Sequence, residues 1–314
     1  MKRVLFIYNP NAGKGLVKNK LSDILDIIAK AGYEIVVYPT QSYKDGYRKV
    51  ATFTGDYDRV ICCGGDGTLD EVVTGMMERT DRIPIGYIPA GTTNDFANSL
   101  HIPKNMLEAA QTAVNGRIFP CDIGKFNEDV FVYIAAFGMF TDVSYETKQE
   151  MKNILGHLAY VLEGITRLFD IPSHHMKVIC DEQTIEDDFI FGMVTNSKSV
   201  GGFKSIVGKN VVFDDGEFEV TLIKTPSNPI ALQELISALL IGQVNTKHMY
   251  SFKAGHVKFE SAEEIAWTLD GEYGGQHDEV EVTDCRQALE IMVQDKSIKD
   301  IAKNRLLGGI LQDK

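Results

Sequence analysis

A glycine-rich turn directly after an apolar run constrains the fold of this chain more than any other feature. Residues 60–63 (VICC) are a short apolar run of the kind that forms a buried parallel strand, and GGDG follows at 64–67. Three glycines within four residues let main-chain N–H groups approach an anion closely, and a helix that follows adds the positive end of its dipole. The pattern predicts a strand–turn–helix unit that binds phosphate.

A second turn of the same kind follows the next apolar run, where residues 85–88 (IGYI) lead into PAGTTNDFA at 89–97. Thr68 and Glu71 fit the S/T-x-x-E capping box, and Thr92 and Asp95 have the same three-residue spacing, so we expect a helix to begin at each pair. Ligands of open parallel sheets bind beyond the carboxyl ends of the strands, where both turns would lie. Together the two turns predict a nucleotide-phosphate site.

Asp66 lies inside the first glycine turn, where its carboxylate would repel a phosphate. Mg²⁺ is commonly held by one or two carboxylates together with phosphates, so a magnesium–nucleotide complex would remove that conflict. The chain has no GxxxxGK[ST] and no GxGxxG after its first strand-type run. These two absences argue against a Walker A site and against an ordinary dinucleotide-binding Rossmann domain.

The chain has 314 residues, about twice the ~150 residues of a typical single domain, and this length favours two domains. In residues 1–125, strand-type runs alternate with helical patterns, which indicates βαβ units and a parallel sheet. In residues 126–295, short strand-type runs separated by turn residues predict an antiparallel β-sandwich or a barrel-like domain. We expect two further helical regions, at 144–169 and at 296–314, and the second of these to pack on the first domain.

Composition and charge exclude several classes of protein. Lys plus Arg is 32 and Asp plus Glu is 44, so the net charge of −12 argues against a nucleic-acid binder, which needs a basic face. The longest apolar stretch, residues 131–140, is far shorter than the ~20 residues of a membrane-spanning helix. The five cysteines form no CxxC pair, which predicts a reduced, cytoplasmic protein without a zinc site.

Five motifs, taken in their order along the chain, resemble those of the diacylglycerol kinase catalytic domain and of the domain that follows it. They are NPNAGKG at 9–15, GGDGT at 64–68, GTTNDFA at 91–97, DG at 215–216 and DGE at 270–272. Their order and spacing are similar to those of soluble bacterial diacylglycerol kinases and related lipid kinases, over essentially the whole chain. GGDG alone also occurs in NAD kinases and phosphofructokinases. The resemblance implies a Rossmann-like parallel α/β domain of that type, which binds the nucleotide, followed by an antiparallel β-sandwich domain for the lipid.

The resemblance also implies roles for individual residues. The ATP contacts would be Asn9, Pro10, Asn11, Ala12, Gly13, Lys14, Thr40, Gly65, Asp66, Gly67, Thr68, Leu69, Asp70, Glu71 and Thr92. Asp66 and Asp95 would organise Mg²⁺ and water around the phosphates. A structural magnesium would take the Asp215 carboxylate together with main-chain oxygens of Val212 and Glu217.

Two late carboxylates compete for the role of proton acceptor. Glu272 matches that residue of the family, and Asp270 is the competing assignment. On an extended segment both side chains would point the same way, but Gly271 between them makes a turn equally possible. The residue types suit phosphoryl transfer, which needs positioning, charge neutralisation and a carboxylate to accept a hydroxyl proton.

The predicted function is ATP-dependent phosphorylation of a lipid hydroxyl, namely diacylglycerol to phosphatidic acid. The alternatives are a kinase of another acceptor, such as a sphingoid base, a different lipid or NAD, and a non-catalytic nucleotide sensor. In the helical region 144–169, Lys148, Lys152 and Arg167 accompany apolar residues, a pattern typical either of core packing or of a helix on a membrane surface. We therefore expect a cytoplasmic enzyme in peripheral contact with the inner membrane and, from the resemblance, a homodimer.

Overall fold

The computed structural model describes residues 1–139, 172–181, 183–197, 211–240, 247–295 and 297–298. The chain divides into two compact units: Met1–Ile123 with Val212–Asp214 and Arg286–Lys314, and Gly124–Val211 with Asp215–Cys285. The predicted helical region 144–169 lies outside the described residues, and so does the predicted tail helix 296–314 except for Ser297 and Ile298.

A parallel sheet forms the centre of the first unit. Its strands and helices alternate along the chain as β1 (Lys2–Tyr8), α1 (Leu16–Lys30), β2 (Tyr33–Pro39), α2 (Asp45–Thr52), β3 (Arg59–Gly64), α3 (Asp66–Met77), β4 (Ile85–Pro89), α4 (Asp95–Ser99) and α5 (Met106–Asn115). The strands lie in the order β4-β3-β1-β2, and every neighbouring pair is parallel. Residues 4–7 and 60–63 are fully buried, as their unbroken apolar runs predict for strands covered on both faces.

The helices of this unit pack in pairs, α1 with α5 and α2 with α3. Val17, Ile24 and Ile28 form the buried face of α1, because apolar side chains at helical spacing share one side of a helix. Gly75 of α3 allows α2 to approach closely, since a Cβ at this position would lie 2.6 Å from the Tyr47 carbonyl oxygen.

The second unit is built from antiparallel strands. Its elements are β5 (Arg117–Phe126) and β13 (Glu272–Val293), each of which begins in one unit and ends in the other, and β6 (Asp129–Phe131), β7 (Ile134–Gly138), β8 (His174–Cys180), β9 (Gln183–Thr195), β10 (Phe218–Lys224), α6 (Pro229–Leu240), β11 (Met249–Ala254) and β12 (His256–Leu269). The strands follow the order β11-β10-β9-β7-β12-β13, and β8 pairs with both β9 and β12. The two long strands β9 and β12 therefore each pair with β7 near one end and with β8 near the other.

An aromatic cluster fills the core of the second unit. Trp267 is fully buried, and its ring centroid lies 5.1 Å from that of Phe126, 4.8 Å from Phe137 and 5.1 Å from Phe259. The predicted fold class, a parallel α/β domain followed by an antiparallel β domain, is confirmed. None of the helices that the structure describes has the length and apolar character needed to cross a membrane.

Candidate functional site

The loops that carry the first motifs begin in one row at the carboxyl edge of the parallel sheet. Tyr8 pairs with both Pro39 and Cys63, and Gly64 pairs with Pro89, so β1, β2, β3 and β4 end side by side. The main-chain N–H of Asn9 donates to the Cys63 oxygen at 3.0 Å, and that of Thr40 donates to the Tyr8 oxygen at 2.9 Å. The fold thus brings the loops at 9–15, 40–44, 64–68 and 90–94 to the edge where open α/β sheets bind ligands.

Glycines allow three of these loops to touch. A Cβ on Gly91 would lie only 2.8 Å from the Gly65 Cα, and one on Gly13 would lie 2.5 Å from the Ala90 oxygen. Gly13 also has a φ of +60°, which side chains other than glycine rarely adopt. Gly91 and Gly13 are therefore required for the close packing of these backbones.

Asp66 connects the two glycine turns. It is the first residue of α3, and its Oδ2 accepts a hydrogen bond from the main-chain N–H of Asn94 at 2.9 Å. Asn94 has a φ of +52°, its Oδ1 accepts from the Gly91 N–H at 2.9 Å, and its Nδ2 donates to the Gly91 oxygen at 2.8 Å. Asn94 is a site residue that the motif spacing does not predict, although an asparagine just before a helix is a good candidate for a left-handed turn.

Tyr87 supports the same junction from below. Its hydroxyl group donates to the Gly64 oxygen at 3.2 Å, and the Asn94 Oδ1 lies 3.4 Å away. Burial, together with the nearby charge of Asp66, raises the pKa of Tyr87 well above its ordinary value. The hydroxyl group therefore stays protonated and keeps its role as a donor.

The other predicted ATP contacts are arranged around this junction. The Asn9 Oδ1 accepts from the Asn11 N–H at 2.9 Å, and the Asn9 Nδ2 lies 3.5 Å from the Thr68 Oγ1. Residues 12–15, which include Ala12, Gly13 and Lys14, form a short 3₁₀ turn after Pro10. Gly67 and Thr92 are exposed and Asp70 is half-buried, whereas Leu69 is buried in the core, so only its main chain remains for a ligand.

Both predicted capping pairs are wrong. Helix α3 begins at Asp66 with Gly65 as its N-cap, so Thr68 lies within the first turn. Helix α4 begins at Asp95 with Asn94 as its N-cap, and Asp95 is 2% exposed. Helix α3 begins two residues before Thr68, because Gly65 adopts the entry conformation without a capping side chain. Helix α4 begins three residues after Thr92, because the left-handed backbone of Asn94 turns the chain into the helix.

Glu71 belongs to α3 but caps the start of the neighbouring helix, α2, and not the start of α3. Its Oε1 accepts from the Lys44 N–H at 2.8 Å and its Oε2 from the Gly46 N–H at 2.9 Å, at the start of α2. The first turn of a helix has unsatisfied N–H groups, and a carboxylate is the favoured partner there. Asp45 acts beside it: its Oδ2 accepts from the Gln41 N–H at 2.8 Å, and this bond holds the pKa of Asp45 below its ordinary value.

In the second unit, Asp270 is the first central residue of a tight turn, and Glu272 follows the turn. Leu269 pairs with Glu272, and Asp270 and Gly271 between them have φ values of +51° and +85°. Positive φ at both central residues is typical of a two-residue hairpin turn with the sequence Asp-Gly. The extended alternative, in which both carboxylates point the same way, is therefore wrong.

The Asp270 carboxylate is committed to the main chain. Its Oδ2 accepts from the Val132 N–H at 2.5 Å, and its Oδ1 accepts from the N–H groups of Tyr133 and Ile134 at 2.9 and 3.0 Å. The side chain is 7% exposed, while Glu272 is half-buried. Asp270 thus holds the turn between β6 and β7, a role that the sequence analysis did not anticipate.

Asp215 lies in a cluster of charged side chains of the second unit. Its Oδ2 is 2.8 Å from the Lys253 Nζ, and its Oδ1 accepts from the Glu217 N–H at 3.2 Å. Lys253 also lies 3.4 Å from Glu219, whose pKa burial raises to about 8. Burial by itself lowers the pKa of Lys253, but the charges of Glu219 and Asp215 outweigh it and raise the value. Val212 belongs to the first unit and is 7% exposed.

Comparisons with known proteins agree over both units. The model of the diacylglycerol kinase catalytic domain matches residues 3–126, and that of the YegS C-terminal NAD kinase β-sandwich-like domain matches residues 135–293. The chain is 35% identical over 277 residues to a diacylglycerol kinase of Bacillus subtilis, covering 88% of this chain and 91% of that protein. It is 36% identical over 279 residues to a diacylglycerol kinase of Staphylococcus carnosus, covering 88% and 90%.

Two solved structures share the fold. A diacylglycerol kinase from Bacillus anthracis has a TM-score of 0.74 at 24% identity, covering 94% of this chain and 98% of that one. An NAD kinase from Archaeoglobus fulgidus in complex with ATP has a TM-score of 0.54 at 12% identity, covering 96% and 98%.

Proposed function

The chain belongs to the diacylglycerol kinase family, and from this membership we propose that it transfers the γ-phosphoryl group of ATP to diacylglycerol. The resemblance read from its motifs is confirmed. Relatives that match most of the chain bear the name diacylglycerol kinase, which supports this acceptor over a sphingoid base or NAD.

The observation that carries the proposal is the junction of the two glycine turns. Gly65 and Gly91 meet with their backbones nearly in contact, and Asp66 and Asn94 hold the turns together. The start of α3 therefore presents N–H groups and a helix dipole beside a carboxylate, which suits a phosphate chain that carries Mg²⁺. In this assignment Asp66 and Asp95 organise the Mg²⁺ that enters with ATP, along with its water.

Glu272 is the residue to which we assign the proton of the acceptor. Asp270 already accepts three main-chain hydrogen bonds, so its oxygens are engaged in holding the chain. Glu272 is half-buried at the start of β13 and has the carboxylate that the reaction needs. A base of this kind contributes about 10²–10⁴-fold to the rate.

The proposed reaction is a direct transfer of the γ-phosphoryl group to the glycerol hydroxyl. The glycerol 3-hydroxyl oxygen forms a bond to the γ-phosphorus while the bond from phosphorus to the β,γ-bridging oxygen breaks. The hydroxyl proton passes to Glu272, and ADP and phosphatidic acid leave. Catalysis in such transfers is mostly positioning and charge neutralisation, which the fixed loops of the first unit are suited to supply.

A structural Mg²⁺ at Asp215, with the main-chain oxygen of Glu217, is part of the same proposal. The carboxylate fits a hard cation, but the Lys253 ammonium group lies 2.8 Å from its Oδ2. The Lys253 Nζ also lies 3.4 Å from a carboxyl oxygen of Glu219, so the ammonium group would keep a polar neighbour if a cation took Asp215. Such an ion would brace the turn at 214–217, and no step of the reaction depends on it.

Location and assembly complete the proposal. All five cysteines lie in described segments and are free thiols, which supports a reduced, cytoplasmic compartment. We propose peripheral contact with the inner membrane, because a lipid acceptor has to be reached at a membrane surface. The proposed homodimer rests on the resemblance to the family.

An acceptor panel tests the function. The full chain is incubated with labelled ATP and Mg²⁺ in mixed micelles containing diacylglycerol, sphingosine or NAD, and label in phosphatidic acid is expected. Glu272→Gln should remove most of this activity, while Glu264→Gln, which changes an exposed carboxylate of β12, should leave it intact. Label only in NAD would overturn the lipid assignment, and ATP binding without any labelled product would favour the nucleotide sensor.

A further inference from the structure

The loop between β2 and α2 lies in the same row as the phosphate-binding turns. Parallel strands β2 and β3 flank β1, so the ends of β2 and β3 are two strand spacings apart, about 10 Å. Thr40 follows β2 directly, and its N–H is held by the Tyr8 oxygen. A nucleotide whose phosphates lie at the start of α3 is long enough to reach this loop with its base.

Carboxylates fasten the loop at several points. Glu71, which projects from α3, accepts N–H groups of Lys44 and Gly46 at 2.8 and 2.9 Å. Asp45 accepts the Gln41 N–H at 2.8 Å and the Tyr38 hydroxyl at 3.0 Å. Because Glu71 belongs to the helix that begins at Asp66, the loop is tied directly to the element that bears the phosphate turn.

The fastened loop presents an aromatic ring to solvent. Tyr43 is 69% exposed, one of the most exposed large hydrophobic side chains that the structure describes. Lys44 next to it has a φ of +58°, and its Nζ lies 5.7 Å from the centre of the Tyr43 ring. An exposed aromatic ring on a fastened main chain is a suitable surface on which a planar base stacks.

We propose that Tyr43 is the stacking surface for the purine base of ATP and that Glu71 is the positioning residue that holds Tyr43 in place. The inference depends on the proposed function only in taking ATP as the donor. Glu71 then acts through Lys44 and Gly46, with both of its oxygens turned to the loop. Stacking of a base on an aromatic side chain contributes enough for about a tenfold or larger effect on affinity.

Calorimetry with two ligands tests whether Tyr43 contacts the base of ATP and not its phosphates. ATP and inorganic tripolyphosphate share the phosphate chain, and only ATP has a base, so the full chain is titrated with each in the presence of Mg²⁺. Tyr43→Ala should weaken ATP binding about tenfold and leave tripolyphosphate binding unchanged, whereas Tyr43→Phe, which keeps the ring, should bind ATP like the wild type.

Glu71 is tested by the same pair of ligands and by kinetics. Glu71→Ala should weaken the binding of ATP more than the binding of tripolyphosphate. It should also raise the KM for ATP by a larger factor than it lowers kcat. Glu71→Gln should recover part of the lost ATP affinity. The inference would be overturned if Glu71→Ala weakened the binding of ATP and of tripolyphosphate equally, or if Tyr43→Ala bound ATP as tightly as the wild type. Neither result would contradict the kinase function. A wild-type chain that does not bind ATP would overturn the proposed function as well.

Discussion

The Asp66 Oδ2 accepts the main-chain N–H of Asn94 at 2.9 Å, and this bond joins the glycine turn after β3 to the one after β4, together with the main-chain bond from the Ala90 N–H to the Gly64 oxygen at 2.7 Å. A hydrogen bond to a charged group contributes about 1.5–3 kcal/mol, enough to hold two short loops in one arrangement. The bond makes the carboxylate of the first residue of α3 a part of the loop framework. The site therefore depends on a contact between turns that lie 28 residues apart.

Asp66→Ala should lower kcat/KM for ATP roughly 10- to 100-fold, because it removes both a charge-assisted bond and the carboxylate that we propose directs Mg²⁺. Steady-state kinetics with diacylglycerol at saturation measures the effect. Asp58→Ala is the matched control, since Asp58 binds the Arg3 N–H at the opposite end of the sheet. Equal kinetics for both variants would show that Asp66 has no part in the site.

Gly91→Ala should weaken ATP binding, because its Cβ would lie 2.8 Å from the Gly65 Cα and force the two turns apart. Gly65→Ala offers a graded comparison, since its Cβ would lie at 3.4 Å from the Gly91 Cα. We expect the larger loss of affinity in Gly91→Ala, measured by calorimetry with Mg²⁺ and ATP. The reverse order would contradict close contact of the two turns.

Asp270→Asn should destabilise the protein, because an amide places an N–H donor where the carboxylate accepts main-chain N–H groups. The expected loss is about 2 kcal/mol, or roughly 4–8 °C in melting temperature for a unit of this size. Glu272→Gln should melt like the wild type and lose activity instead. An Asp270→Asn variant of normal stability without activity would make Asp270 the proton acceptor.

Glu219 should make stability depend on pH. Its folded-state pKa of about 8 is above the ordinary value of 4.5, so the folded protein binds a proton that the unfolded chain has released. The unfolded state therefore binds fewer protons between these values, and the free energy of unfolding falls as pH rises, by about 1.4 kcal/mol per pH unit at most. Denaturant unfolding at pH 5 to 8 should show this slope in the wild type and a weaker one in Glu219→Gln. Parallel profiles would mean that Glu219 does not titrate in this range.

Lys253→Met should tighten binding of a divalent cation at Asp215 about tenfold or more, because it removes the ammonium group 2.8 Å from the ligand oxygen. Binding of Mn²⁺ without nucleotide, followed by paramagnetic resonance, measures it. Lys258→Met is the control, since Lys258 pairs with Glu260 and Glu279 instead. Identical Mn²⁺ affinity in the two variants would argue against a cation at Asp215.

The sequence by itself determined the parts of this protein that depend on local order. Unbroken apolar runs predict buried parallel strands, and glycine-rich turns directly after them place a phosphate site at the carboxyl edge of the sheet, because both depend on neighbours along the chain. The fold class and the loops of the site follow from these patterns. The capping pairs failed because backbone conformation started each helix, at Gly65 for α3 and at the left-handed Asn94 for α4, without a capping side-chain hydrogen bond.

Only the tertiary structure decided which partner each carboxylate takes. Glu71 binds N–H groups of α2 that lie 27 and 25 residues away, Asp270 binds those of residues 132–134, and Asp215 pairs with Lys253 across 38 residues. The chemistry of a carboxylate is the same whether it serves as a metal ligand, as a helix cap or as the partner in an ion pair. Its role is settled by the unsatisfied donor or cation that packing brings within about 3 Å, and spacing along the chain does not record that distance.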